Sequence, residues 1–342
     1  MTLAEVAPLA LEPRLRSSSL WRDAFRQVKR NRLAMVGLVV LAVFAMCAVF
    51  APLIAPFDPN AQDHSAVLAK PSLFHGFLNP GSAKFLALHS HVMGTDTLGR
   101  DWFSRVVYGA RLSLTVGVFA QVIIVSIGGV VGLIAGYFGG RVDNLLMRFT
   151  DLMFAFPDLL FIILLRTVLG GGVFTLFFII GVVSWVEMAR LVRAQVLSLK
   201  NQEFVEAARS LGASPREIML RHLLPNSLGP IIAVVTFGIP RVIFTEASLS
   251  FIGVGVGGGT ASWGSMVDAG RSVIFAAPYL VLFPSIAMAL LMLSFTFLGD
   301  GLRDALDPRS RVSTFRFPAE LRDAPVSRGA PVPEETPLRR AA

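Results

Sequence analysis

The sequence predicts an all-α integral membrane protein with six transmembrane helices and both termini in the cytoplasm. Three observations lead to this fold class. Apolar residues make up 54% of the 342 residues, charged residues only 16%, and soluble domains carry about 25% charged residues. The apolar residues fall in six long runs, and Lys and Arg gather between alternate runs. Because lipid tolerates no open sheet edge, continuous apolar runs of this length indicate helices.

Six apolar segments approach the roughly 20 residues that a helix needs to cross a bilayer. They are Leu33–Ile54, Leu112–Phe138, Leu152–Leu169, Val173–Met188, Leu228–Phe244 and Ala276–Leu298. The fourth and fifth segments are short, so the sequence defines their ends least well. The first follows a basic leader and is too long for the apolar part of a cleaved signal peptide, so we expect it to stay as an anchor.

The distribution of Lys and Arg predicts the orientation of the helices. With the N-terminus in the cytoplasm, the inner segments are 1–32, 139–151, 189–227 and 299–342. The outer segments are then 55–111, 170–172 and 245–275. The inner set holds 23 basic residues in 128 positions and the outer set holds six in 91. The net charge of +8 is thus better explained by membrane orientation than by nucleic-acid binding.

The same reading divides the chain into successive parts. We expect a cytoplasmic leader (1–32) with an amphipathic interfacial helix, although a disordered leader is the alternative. A first transmembrane helix (33–54) and a periplasmic segment (55–111) follow. A five-helix core (112–298) includes a polar cytoplasmic loop (195–227) and an outer loop (245–275). The cytoplasmic tail (299–342) is expected to be disordered beyond about residue 311, where prolines and charges are scattered.

Small residues mark one face of the second span. Gly128, Gly132 and Gly136 form two overlapping GxxxG steps, which let another helix approach closely. The sequence does not say whether that helix belongs to this chain or to another.

A polar insert, EFVEAARSLGASPREIMLRHLLPNS (203–227), interrupts the apolar part of the chain. Its pattern predicts two short helices around Gly212, which suits a left-handed turn. Ser214, Pro215 and Glu217 are typical of the start of the second helix, and we expect Pro225 to end it.

The insert resembles the EAA loop of ABC-importer permeases. That pattern is Glu-Ala-Ala, three residues, Gly, nine residues, an apolar residue, any residue and Leu-Pro. The matching residues are Glu206, Ala207, Ala208, Gly212, Leu224 and Pro225. His222 replaces the apolar residue, a departure that resembles the peptide and nickel branch, where Arg-His-x-Leu-Pro-Asn is usual.

Further motifs extend the resemblance over roughly Trp21 to Arg311. MGTDTLGRDWFSRVVYGARLSL (93–114) is followed in order by DLMFAFPDLL, EASLSFIGVG, SWGSM and LGDGLRDALDPRSR. The chain thus resembles the dipeptide, oligopeptide and nickel importer permeases, in the subunit type with a GTDxxGRD outer segment. This resemblance implies the type I ABC-importer permease fold.

The resemblance also implies a function and partners. It implies an inner-membrane permease subunit that forms half of a translocation pathway, with di- or oligopeptides as the expected solutes. The insert would be a coupling helix that docks on a cytoplasmic ATPase. The implied partners are a homologous permease subunit, two ATPase subunits and a periplasmic binding protein. Nickel complexes, glutathione-like peptides and other small solutes are alternatives.

We do not expect an enzyme or a cofactor-binding chain. A P-loop requires GxxxxGK[ST], and none of the four lysines follows a glycine, so ATP and Mg are expected on the partner ATPases. Gly253, Gly255 and Gly258 spell GxGxxG but follow no predicted strand, which favours a turn over a dinucleotide site.

Four residues of the outer segment are candidate metal ligands: His75, His89, His91 and Asp96. An HxH pair on a polar loop is more often exposed to solvent than bound to metal, so we predict no metal site.

Charged residues inside predicted spans are costly unless they are paired or face water. The candidates are Arg166, Glu187, Arg241 and Glu246. We hypothesise that Arg166, Arg241 or both line the pathway and attract an anionic group such as a peptide carboxylate. The alternatives are snorkelling to the interface, or pairing of Arg241 with Glu246.

Two further function classes stay open at this point. A gradient-driven secondary transporter often has repeated halves and acidic residues near the midplane, and the sequence displays no clear repeat. A membrane scaffold or assembly factor needs no pathway at all.

Overall fold

The computed structural model describes residues 20–72, 91–257 and 259–306, with side chains from Phe25 onward. Within them the chain is helical apart from connecting loops. The helices are α1 Leu20–Arg30, α2 Arg32–Val49, α3 Ala51–Ile54, α4 Trp102–Phe138, α5 Gly140–Ala155, α6 Asp158–Leu169, α7 Val173–Val183, α8 Val186–Leu199, α9 Glu203–Ser210, α10 Pro215–Phe251, α11 Trp263–Arg271 and α12 Tyr279–Leu306.

Four of these helices, α2, α4, α10 and α12, are long and apolar enough to cross a membrane. Two pairs pass the same test only together: α5 with α6, bent by 84°, and α7 with α8, bent by 44°. The described residues therefore hold four candidate spans, or six if each bent pair is one span.

The predicted third span, Leu152–Leu169, crosses the sharper of these bends and is not one straight helix. Phe156 ends α5 with extended backbone (ψ 132°) and Pro157 precedes α6. Proline disfavours helical geometry in the residue before it, so the break lies where the sequence places the proline. The apolar run alone did not reveal it.

Several helix ends also differ from the predictions, and two of these differences have a local cause. The second span begins at Trp102 rather than Leu112, because the Asp101 carboxylate accepts a hydrogen bond from the Ser104 amide at 2.8 Å and caps the longer helix. Pro225 does not end the second helix of the insert. A π-helical segment, Ile218–Leu223, precedes the proline and carries the helix into α10.

The glycine face of α4 packs against α8 of the same chain. A Cβ atom at Gly132 would lie 2.4 Å from the Ala189 carbonyl oxygen, and one at Gly128 would lie 2.7 Å from the Met188 Cβ atom. Such distances allow no side chain. The partner left open by the sequence is thus an internal helix, and this contact forms the centre of the fold.

At one end of the helices, α1 packs against the last turns of α12. Val28 and Ala34 form a buried cluster with Ala305, and Asn31 separates α1 from α2 by capping the latter. A Cβ atom at Gly229, near the start of the apolar part of α10, would lie 3.5 Å from Leu306. The N-terminal helix, the part of α10 around Gly229 and the end of α12 therefore meet at this end.

At the other end, residues 55–72 and 91–101 of the segment predicted to be outer pack together, and we keep the name outer segment for them. The Tyr279 hydroxyl lies 3.1 Å from the Ala69 carbonyl oxygen and 3.2 Å from that of Thr95. Gly99 has a φ of +74°, and a Cβ atom there would lie 1.9 Å from the Asp63 carbonyl oxygen. The segment is therefore fastened to the start of α12.

Candidate functional site

The polar insert folds as a helix–turn–helix. Helix α9 ends at Ser210, and Gly212 has a φ of +85°, the left-handed conformation predicted for it. The Ser214 hydroxyl accepts a hydrogen bond from the Glu217 amide at 3.3 Å. The Glu217 carboxylate forms an ion pair with Arg221. The helix is therefore capped by the Ser214 hydroxyl, without a return hydrogen bond to Glu217.

Apolar side chains anchor the insert on its inner face. Val205, Ile218 and Leu223 are buried, and they belong to the same apolar cluster as α4, α7 and α8. The sequence interpretation did not single them out, although the three apolar positions are visible in the pattern.

The outward face of the insert carries most of the predicted coupling residues. Glu206, Ala207, Gly212 and Pro225 are exposed, Leu224 is partly buried and Ala208 is buried. Phe204 is also exposed, and Leu211 is 89% exposed. Of the two alanines that match the EAA pattern, only Ala207 therefore lies on the exposed face.

A cavity of about 280 Å³ opens between α4, α6, α7, α8 and α10. Apolar side chains of these helices form much of its wall. Its polar lining residues are Gln121, Asp158, Ser184, Glu187, Arg241 and Thr245.

Arg241 lies in this cavity and forms ion pairs. Its guanidinium donates to the Glu187 carboxylate and lies 3.7 Å from the Asp158 carboxylate. These contacts join α10 to α8 and α6. The alternative pairing with Glu246 is not formed, because the fully buried Glu246 accepts hydrogen bonds from Ser250 at 2.7 Å and Ser262 at 2.8 Å.

Arg166 is buried elsewhere, at the loops that follow α6 and α10. Its guanidinium donates to the carbonyl oxygens of Gly170 at 2.8 Å and Gly172 at 3.1 Å. It also donates to Gly255 at 2.7 Å and Val256 at 3.3 Å. Four backbone acceptors thus hold this side chain between two loops, away from the residues that line the cavity.

Asp158 and Gln121 are cavity residues that sequence reasoning missed. Asp158 is a charge inside a predicted span and could have been found by the rule that selected Arg241. Gln121 offered a weaker signal, as one polar residue in the apolar α4.

The residues weighed as metal ligands have other partners where they are described. His91 binds the Asp101 carboxylate at 2.9 Å and Asp96 binds the Arg100 guanidinium at 2.7 Å. His75, His89 and Gly258 lie outside the described residues. In residues 20–72, 91–257 and 259–306, no group of three His, Cys, Asp or Glu side chains could hold a metal ion.

Comparison with known proteins places the chain among transport proteins. Residues 128–312 match the family of the binding-protein-dependent transport system inner membrane component. Residues 19–71 match the N-terminal transmembrane domain of oligopeptide transport permease C.

Curated relatives match over most of their length. The chain is 41% identical to the oligopeptide transport system permease protein OppC of Bacillus subtilis, over 86% of this chain and 92% of that protein. It is 43% identical to the dipeptide permease DppC of the same organism, over 86% and 88%. It is 41% identical to the glutathione permease GsiD of Shigella dysenteriae, over 84% and 90%.

Among solved structures, the chain is similar to an inward-facing conformation of the methionine ABC transporter MetNI. The identity is 19%, the TM-score is 0.49, and the match covers 60% of this chain and 97% of that one. The matched residues and the identity to curated permeases lead to one conclusion: the chain belongs to the family of inner membrane components of binding-protein-dependent transport systems.

Proposed function

We propose that the chain is one permease subunit of an ATP-driven importer of di- or oligopeptides. It forms half of a translocation pathway in the bacterial inner membrane, and a homologous permease subunit forms the other half. The membership of the family and the permease relatives at about 40% identity support this proposal.

The observation that carries the proposal is the exposed insert. Val205, Ile218 and Leu223 fix it to the helices, while Ala207 and Leu211 stay uncovered. Leu211 directly follows the short polar helix α9 and is nearly fully exposed, and Phe204 of that helix is also exposed. Exposed apolar side chains that are grouped on a surface mark sites that bind proteins. We assign this face, with Glu206 and Gly212, to contact with an ATPase subunit.

Six spans with both termini in the cytoplasm are part of the proposal. Each bent pair then counts as one span. The contact of α1 with the end of α12, and of Leu306 with Gly229 of α10, supports one common side for both termini and the insert. The excess of Lys and Arg in the inner segments supports the cytoplasm as that side.

The chain itself is proposed to be a transport subunit without catalytic activity. ATP and Mg would bind to two partner ATPase subunits, and a periplasmic binding protein would deliver the solute. Coupling would proceed through Glu206, Ala207, Ala208, Gly212, Leu224 and Pro225, with Ala208 acting from inside as a packing residue.

Peptides are the proposed solutes because the permeases of oligopeptide and dipeptide systems are among the relatives. A glutathione-like peptide is the second candidate, since the glutathione permease is similar to the same degree.

The test is copurification of the tagged, detergent-solubilised chain from its native host. We expect a P-loop ATPase to copurify with the wild type and to be lost from Leu211→Glu, which places a charge on the proposed docking face. Val67→Glu serves as the matched control, because Val67 is an exposed apolar residue of the outer segment.

The outcome separates the function classes. Retention of the ATPase by Leu211→Glu and Val67→Glu alike would contradict the docking face. Uptake driven by a proton or sodium gradient without any ATPase would favour a secondary transporter. A deletion strain without any transport defect would favour a scaffold.

A further inference from the structure

The charged side chains of the cavity between α4, α6, α7, α8 and α10 lie on the side where the cavity is open. The side chains of Asp158, Arg241 and Glu187 are 45%, 57% and 58% exposed. Ionisable groups inside membrane helices almost always face a bundle interior or a water-filled space. The open side of the cavity therefore faces water or the second permease subunit rather than lipid.

The charges in this cavity do not balance. Among the described lining residues, two carboxylates face one guanidinium, which leaves a net charge of −1. Arg241 is engaged by Glu187 and is attracted to Asp158. The cavity as a whole therefore attracts a cation, not the anionic group expected when Arg241 was considered alone.

Hydrogen-bond acceptors stay open in the same place. The Asp158 oxygen lies 3.7 Å from the nearest Arg241 nitrogen, beyond hydrogen-bond distance. Gln121 is 3% exposed, and its Oε1 atom accepts no hydrogen bond from the described part of the chain. Gly238 makes room for that atom, since a Cβ atom there would lie 2.5 Å from it.

An acceptor-rich cavity of net negative charge suits a protonated amine. An ammonium group is compact and donates three hydrogen bonds without accepting any. At about 280 Å³, the cavity lies near the lower end of ligand pockets, which run from roughly 300 to 1,000 Å³, so it suits one end or one side chain of a larger solute.

We infer that this cavity binds a protonated amine of the transported solute, with Asp158, Glu187 and Gln121 as acceptors. The inference rests on the proposed function, because it takes the cavity as part of the pathway. The amine is either the terminal amine of a peptide or a lysine side chain.

The test is ATP-driven uptake by the complete importer reconstituted in proteoliposomes. The probes are labelled Ala-Ala-Ala, which carries only the terminal amine, and N-acetyl-Ala-Lys-Ala, which carries only the side-chain amine. N-acetyl-Ala-Ala-Ala carries neither. Each variant's uptake is divided by the wild-type uptake of the same peptide, so that selection by the binding protein cancels.

Asp158→Asn is the first variant, because its carboxylate makes no hydrogen bond to Arg241 that the fold would lose. We expect it to lower the normalised uptake of at least one amine-bearing peptide fivefold or more, and that of N-acetyl-Ala-Ala-Ala less than twofold. The peptide that loses uptake identifies the source of the amine. Asp151→Asn is the matched control, since Asp151 pairs with Arg190 outside the cavity.

Arg241→Gln separates charge from structure. It makes the cavity more negative, so uptake of the amine-bearing peptides is expected to stay at or above the wild-type level relative to N-acetyl-Ala-Ala-Ala. Equal loss for the three peptides in Asp158→Asn and Arg241→Gln, or no change in Asp158→Asn, would overturn the inference while peptide import stands. If the wild-type complex imports none of these peptides, the proposed function fails, and this inference fails with it.

Discussion

Arg166 and Gly255 lie 89 positions apart in the chain, yet the guanidinium of the first donates a hydrogen bond to the carbonyl oxygen of the second at 2.7 Å. The same side chain holds the carbonyls of Gly170 and Gly172. One buried cation thus ties the loop after α6 to the loop after α10.

Replacing Arg166 by Gln should destabilise the protein, because four carbonyl oxygens lose a charged donor. Hydrogen bonds to charged groups contribute about 1.5–3 kcal/mol each and do not add fully, so we expect a loss of roughly 3 kcal/mol. Thermal unfolding in detergent measures it. Arg271→Gln is the control, since Arg271 is exposed and pairs only with Asp268 among its described ion pairs. Equal melting temperatures for Arg166→Gln and wild type would contradict the role.

Gly132→Ala should weaken the contact between α4 and α8. The new Cβ atom would lie 2.4 Å from the Ala189 carbonyl oxygen, and overpacking of this kind costs about 1–3 kcal/mol. Gly129→Ala is a closely matched control on the same helix, because nothing lies within 4 Å of its Cβ position. Alanine there should be neutral or stabilise the helix by up to about 1 kcal/mol. A stability assay that ranks the two variants in the opposite order would refute the packing.

Gly212→Ala should loosen the insert without any steric clash. Nothing lies within 4 Å of the Gly212 Cβ position, so the cost is that of a left-handed residue, about 1–2 kcal/mol. Hydrogen exchange of residues 203–225 should rise by roughly five- to thirtyfold. Gly212→Asn should have a smaller effect, because asparagine tolerates this conformation better. Unchanged exchange in Gly212→Ala would show that the turn does not need glycine.

Asp96→Asn should loosen the outer segment. The buried Asp96 carboxylate accepts hydrogen bonds from the amides of Leu98 and Arg100, both at 2.9 Å, and pairs with the Arg100 guanidinium. Removing one partner of a fully buried ion pair costs about 3–5 kcal/mol. The cost is expected to be smaller here, because the Arg100 side chain is 13% exposed. Limited proteolysis within residues 55–72 and 91–101 should accelerate. Asp63→Asn, at an exposed turn with Ser65, should leave the cleavage rate near that of wild type.

The sequence allowed the helical class and the turn at Gly212 to be predicted, because both depend on local properties. Apolar runs determine which segments leave water, and a left-handed turn needs glycine whatever surrounds it. The contact of α4 with α8 was predicted only in part. The small residues of α4 indicate that another helix packs closely against it, but which helix that is depends on the whole fold.

The bend at Pro157 and the passage through Pro225 show why proline alone is ambiguous. At Pro157 the preceding residue adopts extended backbone and the helix breaks. At Pro225 a π-helical segment lies just before the proline, and the helix continues. The choice depends on tertiary packing, here the burial of Ile218 and Leu223, which no local pattern contains.

The cavity was the least predictable feature. Arg241 could be identified from the sequence because a charged residue inside a predicted span is costly. Its partners Glu187 and Asp158 lie on two other helices, so the sequence does not reveal the ion pairs. Since the sign of the local charge depends on which groups meet, the sequence alone does not give the formal charge of the cavity.

The unbroken course of α10 has a mechanical consequence. A helix rises about 1.5 Å per residue, so the 37 residues of Pro215–Phe251 form a rod of roughly 55 Å. Arg241 lies roughly 40 Å along it from the insert by the same rise. A displacement at Ser214 would therefore reach Arg241 through one continuous helix, with its softest points at Pro230 and Pro240, where a backbone hydrogen bond is missing, and not through a flexible loop.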